Sequence, residues 1–385
     1  MTLFIQFYII LCVALILFDL VFLAVKNFKN YELYPRNTEF EAQLRKEIAQ
    51  RRETGAFSPA FEKKYPSMLA KTKNLITLQT ILEEMDDAAD WFRPAIYDQI
   101  EVYLKKTDYE QAYYTYIIST LDFTNESVSP EYAQRFMTFL DSKSLYTFSN
   151  TMNALYRFGQ VNLILLAIDK ADERGKFYHK KLLTDGILAS RADQEELIHA
   201  LTTRFPQYSS HMQDCLLDIF RMGKGDASDL CMKLMCSEDT DEQVRYSAMR
   251  YFAKHPHDNA RSFFLNVLNN EQSGWVDQML AIQALNRYSD REIYEAIKAK
   301  ATSYHWHVRT NAVEYLHRQG ISREEITGIL RMQDKYAGEA LLYQYRDDHE
   351  MTLFMIQTIQ QIAQEAETAK AASPEGDTAQ EGAAV

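Results

Sequence analysis

Residues that interrupt helices are scarce in this chain. It holds 12 glycines and 8 prolines among 385 residues, well below the average usage of about 7% and 5%. Few turn formers beside abundant Leu, Ala, Tyr and Phe argue against a strand-and-turn fold and for an all-α one. The same scarcity removes the usual phosphate cradles. Gly223-Lys224-Gly225 is too short for a Walker loop, and no G-x-S-x-G elbow occurs. Cysteine is rarer still. Cys12 falls in an apolar stretch, and Cys215, Cys231 and Cys236 are scattered without a disulfide framework, as suits a reduced compartment. Positive charge is also in short supply. The net charge is −12, and residues 74–385 carry −16 of it against +5 on residues 26–73. A general nucleic-acid binder neutralises phosphates with Lys and Arg, so an acidic body of this kind argues against that class.

One long apolar run opens the chain. From Leu3 to Val25 only Gln6 and Asp19 are strongly polar. As a helix, these 23 residues would reach roughly 34 Å at ~1.5 Å each, enough for a hydrocarbon core of about 30 Å. No basic n-region precedes the run, and Phe22-Leu23-Ala24 is a poor cleavage site, so a retained transmembrane helix over 1–25 is expected rather than a signal peptide. Lys26, Lys29, Arg36, Arg45 and Lys46 follow the run and no Lys or Arg precedes it, which orients the C-terminal body toward the cytoplasm. The expectation is a single-pass protein of the cytoplasmic membrane. Asp19 is the candidate contact with a membrane partner, because carboxylates within a span usually face protein.

Beyond the run the sequence repeats itself. Val244, Val276 and Val308 lie 32 residues apart; Ala248, Leu280 and Ala312 follow four residues on, and Phe252, Ala284 and Leu316 eight on. The same register extended backward gives Met212, Leu216 and Phe220, then the weaker Lys180, Thr184 and Leu188, then Phe148, Met152 and Tyr156. Spacing of i, i+4, i+8 is the buried stripe of a helix, and its recurrence at a fixed period marks stacked two-helix units.

These residues resemble HEAT repeats, including the short-repeat bacterial subtype. Asp241-x-x-Val244-Arg245-x-x-Ala248-x-x-x-Phe252 and Val308-Arg309-x-x-Ala312-x-x-x-Leu316 look like the second helix of that motif, whereas Asp277 stands where the family usually has Arg. The resemblance covers about 205–320, extends by period over 140–205 and is inferred for 75–140. It implies a right-handed α-solenoid of helix pairs over 74–364 in which each unit contacts only its neighbours. It also implies a structural part for Asp241, Arg245 and Arg309 in polar ladders between repeats. Solenoids of this family mostly bind proteins, and membrane-anchored bacterial members can accompany membrane enzymes such as glycosyltransferases of surface-polysaccharide synthesis.

The flanking segments are read separately. Residues 26–73 form a basic juxtamembrane linker in which Glu39 to Arg52 is an amphipathic helix, with Phe40, Leu44 and Ile48 on one face. Arg45, Lys46, Arg51 and Arg52 lie around it and are candidate contacts with anionic lipid, unless the helix packs on the first repeat with its charges solvated. Ser67 is read as the N-cap of the next helix. Met351 to Ile362 is expected to close the array, and residues 365–385 are a disordered acidic tail.

Chemistry is sparse. His255/His257 and His305/His307 occupy different phases of the repeat and leave opposite ends of their units, so they do not suggest one metal site. Glu83-Glu84-Met85-Asp86-Asp87 with Asp90 reads as a solvated acidic surface. No catalytic, cofactor-binding or metal-ligating set emerges. The expected function is a membrane-tethered scaffold or adaptor for a protein partner, itself membrane-associated; the alternative is a HEAT-like enzyme, hydrolytic or nucleic-acid-directed, using the concave face.

Overall fold

A computed structural model describes residues 6–7, 11–23, 37–121, 128–175, 179–332 and 334–372. Among the described residues the chain is helical and has no strand. It divides into two compact units, residues 1–197 and 198–385.

Of the apolar opening run, residues 6–7 and 11–23 are described, and 11–23 form a helix with exposed side chains, Asp19 among them. Among the described residues no helix is long and apolar enough to cross a membrane. Residues 1–5, 8–10 and 24–25 of the expected span lie outside the described residues.

In the first unit, helix Thr38–Thr54 packs on Thr72–Glu84, which packs on Asp108–Thr120, which packs on Leu145–Phe158; Lys180–Leu188 follows on the last of these. Helix Pro59–Met68 packs on Ala89–Tyr97 in a second row. The stacking therefore begins at residue 38, within the stretch read from the sequence as a linker. Phe40, Leu44 and Ile48 are fully buried, so this helix is part of the stack. Its end is locked by buried Glu47, which accepts hydrogen bonds from the Ser58 backbone N–H at 2.9 Å and the Ser58 hydroxyl at 2.7 Å. Ser58 caps the next helix, with Pro59 in its first turn. Ser67 is not the cap expected: Pro66 and Ser67 lie inside the helix, the Ser67 hydroxyl donates to the Lys64 carbonyl, and the following helix starts after Lys71 without a side-chain cap.

The second unit repeats the arrangement with greater regularity. Helices Ser210–Met222, Glu242–Tyr251, Trp275–Leu285, Trp306–Arg318 and Lys335–Gln344 form one row, each against the next. Between them run Ser228–Cys236, Asp258–Asn269, Arg291–Lys298, Arg323–Arg331 and His349–Ala372. The 32-residue register lands in the core of this row: Met212, Leu216, Phe220, Val244, Ala248, Phe252, Leu280, Ala284, Val308, Ala312 and Leu316 are all buried. Val276 is the half-buried exception. The closing helix runs past Glu365 to Ala372, so the segment expected to be a tail is helical over its first residues; residues 373–385 lie outside the described residues.

Polar groups link neighbouring pairs at about one repeat of sequence separation. Tyr103 donates to the Leu69 carbonyl at 3.0 Å, Tyr288 to the His257 carbonyl at 3.1 Å, and Tyr294 to Glu325 at 2.9 Å. Burial pushes the hydroxyls of Tyr103 and Tyr294 well above the usual phenol range and that of Tyr97 to about 12, so all of them stay protonated donors. Tyr103, Tyr288 and Tyr294 thus combine ring packing between helices with a hydroxyl that satisfies an acceptor one repeat away.

Ala312 is fully buried where helix Trp306–Arg318 meets its neighbours. A larger side chain must displace a helix axis, so Ala312→Leu should cost ~1–3 kcal/mol. The loss should spread along the second unit as local fraying, because each helix pair is held by the next. Glu324 is exposed in the first turn of its helix, and Glu324→Ala should cost under about 0.5 kcal/mol. Thermal and denaturant unfolding of the two variants checks this; equal melting would contradict the register.

Candidate binding cleft

The three polar residues of the repeat motif have three different fates. Arg245 reaches one period along the chain and donates to Asp277 at 2.5 Å, with both side chains mostly buried. The carboxylate hydrogen bond comes first among the causes that hold the Arg245 guanidinium above its usual value. Asp277, the departure from the family pattern, is thus the partner that the preceding Arg uses. Asp241 makes no ladder contact among the described residues; its carboxylate caps its own helix by accepting from the backbone N–H groups of Gln243 and Val244. Arg309 is only 5% exposed. Its Nη1 donates to the carbonyls of Ser303 at 2.6 Å and Tyr304 at 3.4 Å, its Nε has no hydrogen-bond partner, and its guanidinium lies 5.2 Å above the Tyr336 ring. No carboxylate among the described residues pairs with it.

Arg309 forms part of the wall of an open cleft of about 860 Å³. Two neighbouring helices build it. Trp306, Arg309 and Thr310 share one face of Trp306–Arg318 by i, i+3, i+4 spacing, and Tyr336, Ala340 and Tyr343 share one face of Lys335–Gln344 by i, i+4, i+7 spacing. Tyr304 and His305 close the end that leads into the first helix. The inward stripes of the same helices, Val308, Ala312 and Leu316 on one and Ala337 and Leu341 on the other, are fully buried. The aromatic residues of the cleft therefore lie off the core stripe. Tyr304 is 89% exposed, Tyr343 64%, Trp306 61% and Tyr336 54%. Among the described residues a single carboxylate lines the cleft, Glu339, which lies 3.8 Å from Lys335 on its own helix. A second, smaller groove of about 400 Å³ lies between Lys335–Gln344 and the closing helix, lined by Leu330, Gly338, Ile359 and Ile362.

The histidines serve as ring partners. Trp275 stacks on both His305 and His307 with ring centroids 5.8 and 5.5 Å away. His255 stacks on Tyr251 at 4.2 Å and places its Nε2 3.1 Å from the Arg221 carbonyl, while the His257 backbone N–H donates to Tyr288. Among the described residues no group of three or more His, Cys, Asp or Glu side chains is placed to hold a metal ion. Buried Cys231 has its thiol pushed well above the usual range by burial, which disfavours the reactive thiolate.

The basic residues near the chain's start are largely engaged within the first unit. Arg45 pairs with Glu41 at 3.0 Å and Glu84 at 2.7 Å, and Arg52 pairs with Asp87 at 2.6 Å. Arg51 lies over the rings of Phe57 and Trp91 at 4.4 and 5.0 Å. Lys46 is exposed. The acidic cluster around residues 83–90 and the basic helix, read separately in the sequence, are thus partly each other's counter-charge.

No family model matches the chain, and no curated protein or solved structure matches it.

Proposed function

We propose that this protein is a scaffold of the HEAT type that holds a protein partner in the cleft between helices Trp306–Arg318 and Lys335–Gln344. The observation that carries the reading is the cleft itself. Exposed Trp306, Tyr304, Tyr336 and Tyr343 around Arg309 are the residue types that dominate binding energy at protein interfaces, and here they are gathered in one concavity. None of these rings is needed to fill the core, since the helices that bear them bury a separate apolar stripe.

The reading includes a membrane tether formed by the apolar run 3–25, with residues 26–385 in the cytoplasm and Asp19 toward a membrane partner. Its support is the length and polarity of the run and the basic residues that follow it. Tethering favours partners within reach of the bilayer, because it raises effective concentration only for those. A membrane glycosyltransferase or another component of envelope biogenesis is the partner class that the resemblance to anchored HEAT proteins suggests.

Two measurements test this. Extraction of membranes in mild detergent should recover the protein with one membrane-associated partner, and the Trp306→Ala, Tyr343→Ala double variant should lose it. Recovery of a clean monomer or homodimer, or an unchanged set of partners in the variant, would contradict the reading. For the topology, protease added outside intact cells should leave the body uncut, and Cys215, Cys231 and Cys236 should label only after lysis and unfolding. Cleavage from outside would reverse the orientation.

A further inference from the structure

We infer that the cleft takes an acidic peptide segment, with a carboxylate seated on Arg309 and flanking aromatic or apolar side chains laid against Trp306, Tyr336 and Tyr343. This rests on the reading of the cleft as the partner site and specifies what that partner presents.

Arg309 lacks the counter-charge that its counterpart in the repeat has. Arg245 and Arg309 occupy equivalent positions two periods apart in the same row of helices. One period beyond Arg245 stands Asp277, which pairs with it; one period beyond Arg309 stands Leu341, which is fully buried and offers no charge. Arg309 nevertheless stays almost wholly buried, with two carbonyls, one ring face and a partnerless Nε as its surroundings. Burying a guanidinium without an anion is costly. An anion arriving through the cleft supplies what the repeat withholds, and a carboxylate matches the planar fork of Arg.

The surroundings decide what carries that carboxylate. A free small anion would leave the rings of Trp306, Tyr336 and Tyr343 in water. Large planar side chains with few rotamers are the efficient way to grip a chain laid across them. The cleft of about 860 Å³ is open along one side, and lies near the upper end of the ~300–1,000 Å³ typical of ligand pockets. That is room for several consecutive side chains of an extended segment. Glu339 is the one carboxylate in the wall among the described residues; it lies 3.8 Å from Lys335 and beyond ion-pair distance of Arg309, so it does not fill the place of the ligand's carboxylate.

Selection of a random peptide library displayed on phage against the full chain in detergent tests the inference. Enriched peptides should share an Asp or Glu beside an aromatic or apolar residue. In fluorescence polarisation with a labelled enriched peptide, replacing that Asp or Glu by Asn or Gln should weaken binding by at least about tenfold. Trp306→Ala and Tyr343→Ala in the protein should weaken it similarly while melting with the wild type, since both side chains are mostly exposed. These two variants carry the test because Arg309 is buried and Arg309→Gln could act through folding. If the peptides bind the cleft, as judged by loss in Trp306→Ala, yet tolerate the amide replacement, the acidic chemistry is wrong while the cleft remains the site. If binding ignores Trp306→Ala and Tyr343→Ala, or no peptide is enriched, both the inference and the cleft reading fall.

Discussion

Helices of this protein bury their apolar stripes against the helix beside them in the chain and against neighbours one repeat away. Val308, Ala312 and Leu316 of one helix are fully buried, and that helix packs on Trp275–Leu285 before it and Lys335–Gln344 after it in the row, as well as on Arg291–Lys298. Within each unit the polar clasps obey the same rule. Tyr103 to Leu69, Arg245 to Asp277 and Tyr294 to Glu325 each join residues 31 to 34 positions apart. Stability in such an arrangement is approximately a sum of repeat and interface terms, so no single residue holds a unit together and no single interface can be lost without loosening the next.

The same constraint produces the candidate site. A helix in a row spends one face on its neighbours and leaves another to water, and two adjacent helices leave a furrow between their outer faces. Between Trp306–Arg318 and Lys335–Gln344 the outer faces carry Trp306, Tyr336 and Tyr343, and the floor carries an arginine whose place in the repeat no longer supplies a carboxylate. The chemistry of the cleft is therefore a local departure from the repeat rather than a feature added to it.

The all-α class and the register of the second unit were legible in the sequence because buried i, i+4, i+8 stripes recur at constant spacing there. The helix around Phe40, Leu44 and Ile48 was legible as a helix but not as part of the stack, since its charges suggested lipid as readily as Glu84 and Asp87. Ser67 misled because a Ser before an apolar run is a common cap, whereas Pro66 sits in the closing turn of a helix already capped by Ser58. Arg309 was read only as a member of a ladder, although the sequence already places Leu341, which offers no charge, one period beyond it. The aromatic face was missed because attention to the buried stripe discards residues off it. Tyr336 and Tyr343, seven positions apart on a helix whose core residues are Ala337 and Leu341, were the signal available.

The central claim is that residues one period apart meet across adjacent helices. Arg245 and Asp277 test it most directly, since nothing but the stacking brings them together. A double-mutant cycle with Arg245→Met and Asp277→Asn, read by denaturant unfolding, isolates their interaction. The account predicts a coupling of roughly 1–3 kcal/mol, the range for a partly buried charge-assisted hydrogen bond. Additivity within about 0.3 kcal/mol would mean that the two side chains do not meet, and would contradict the stack.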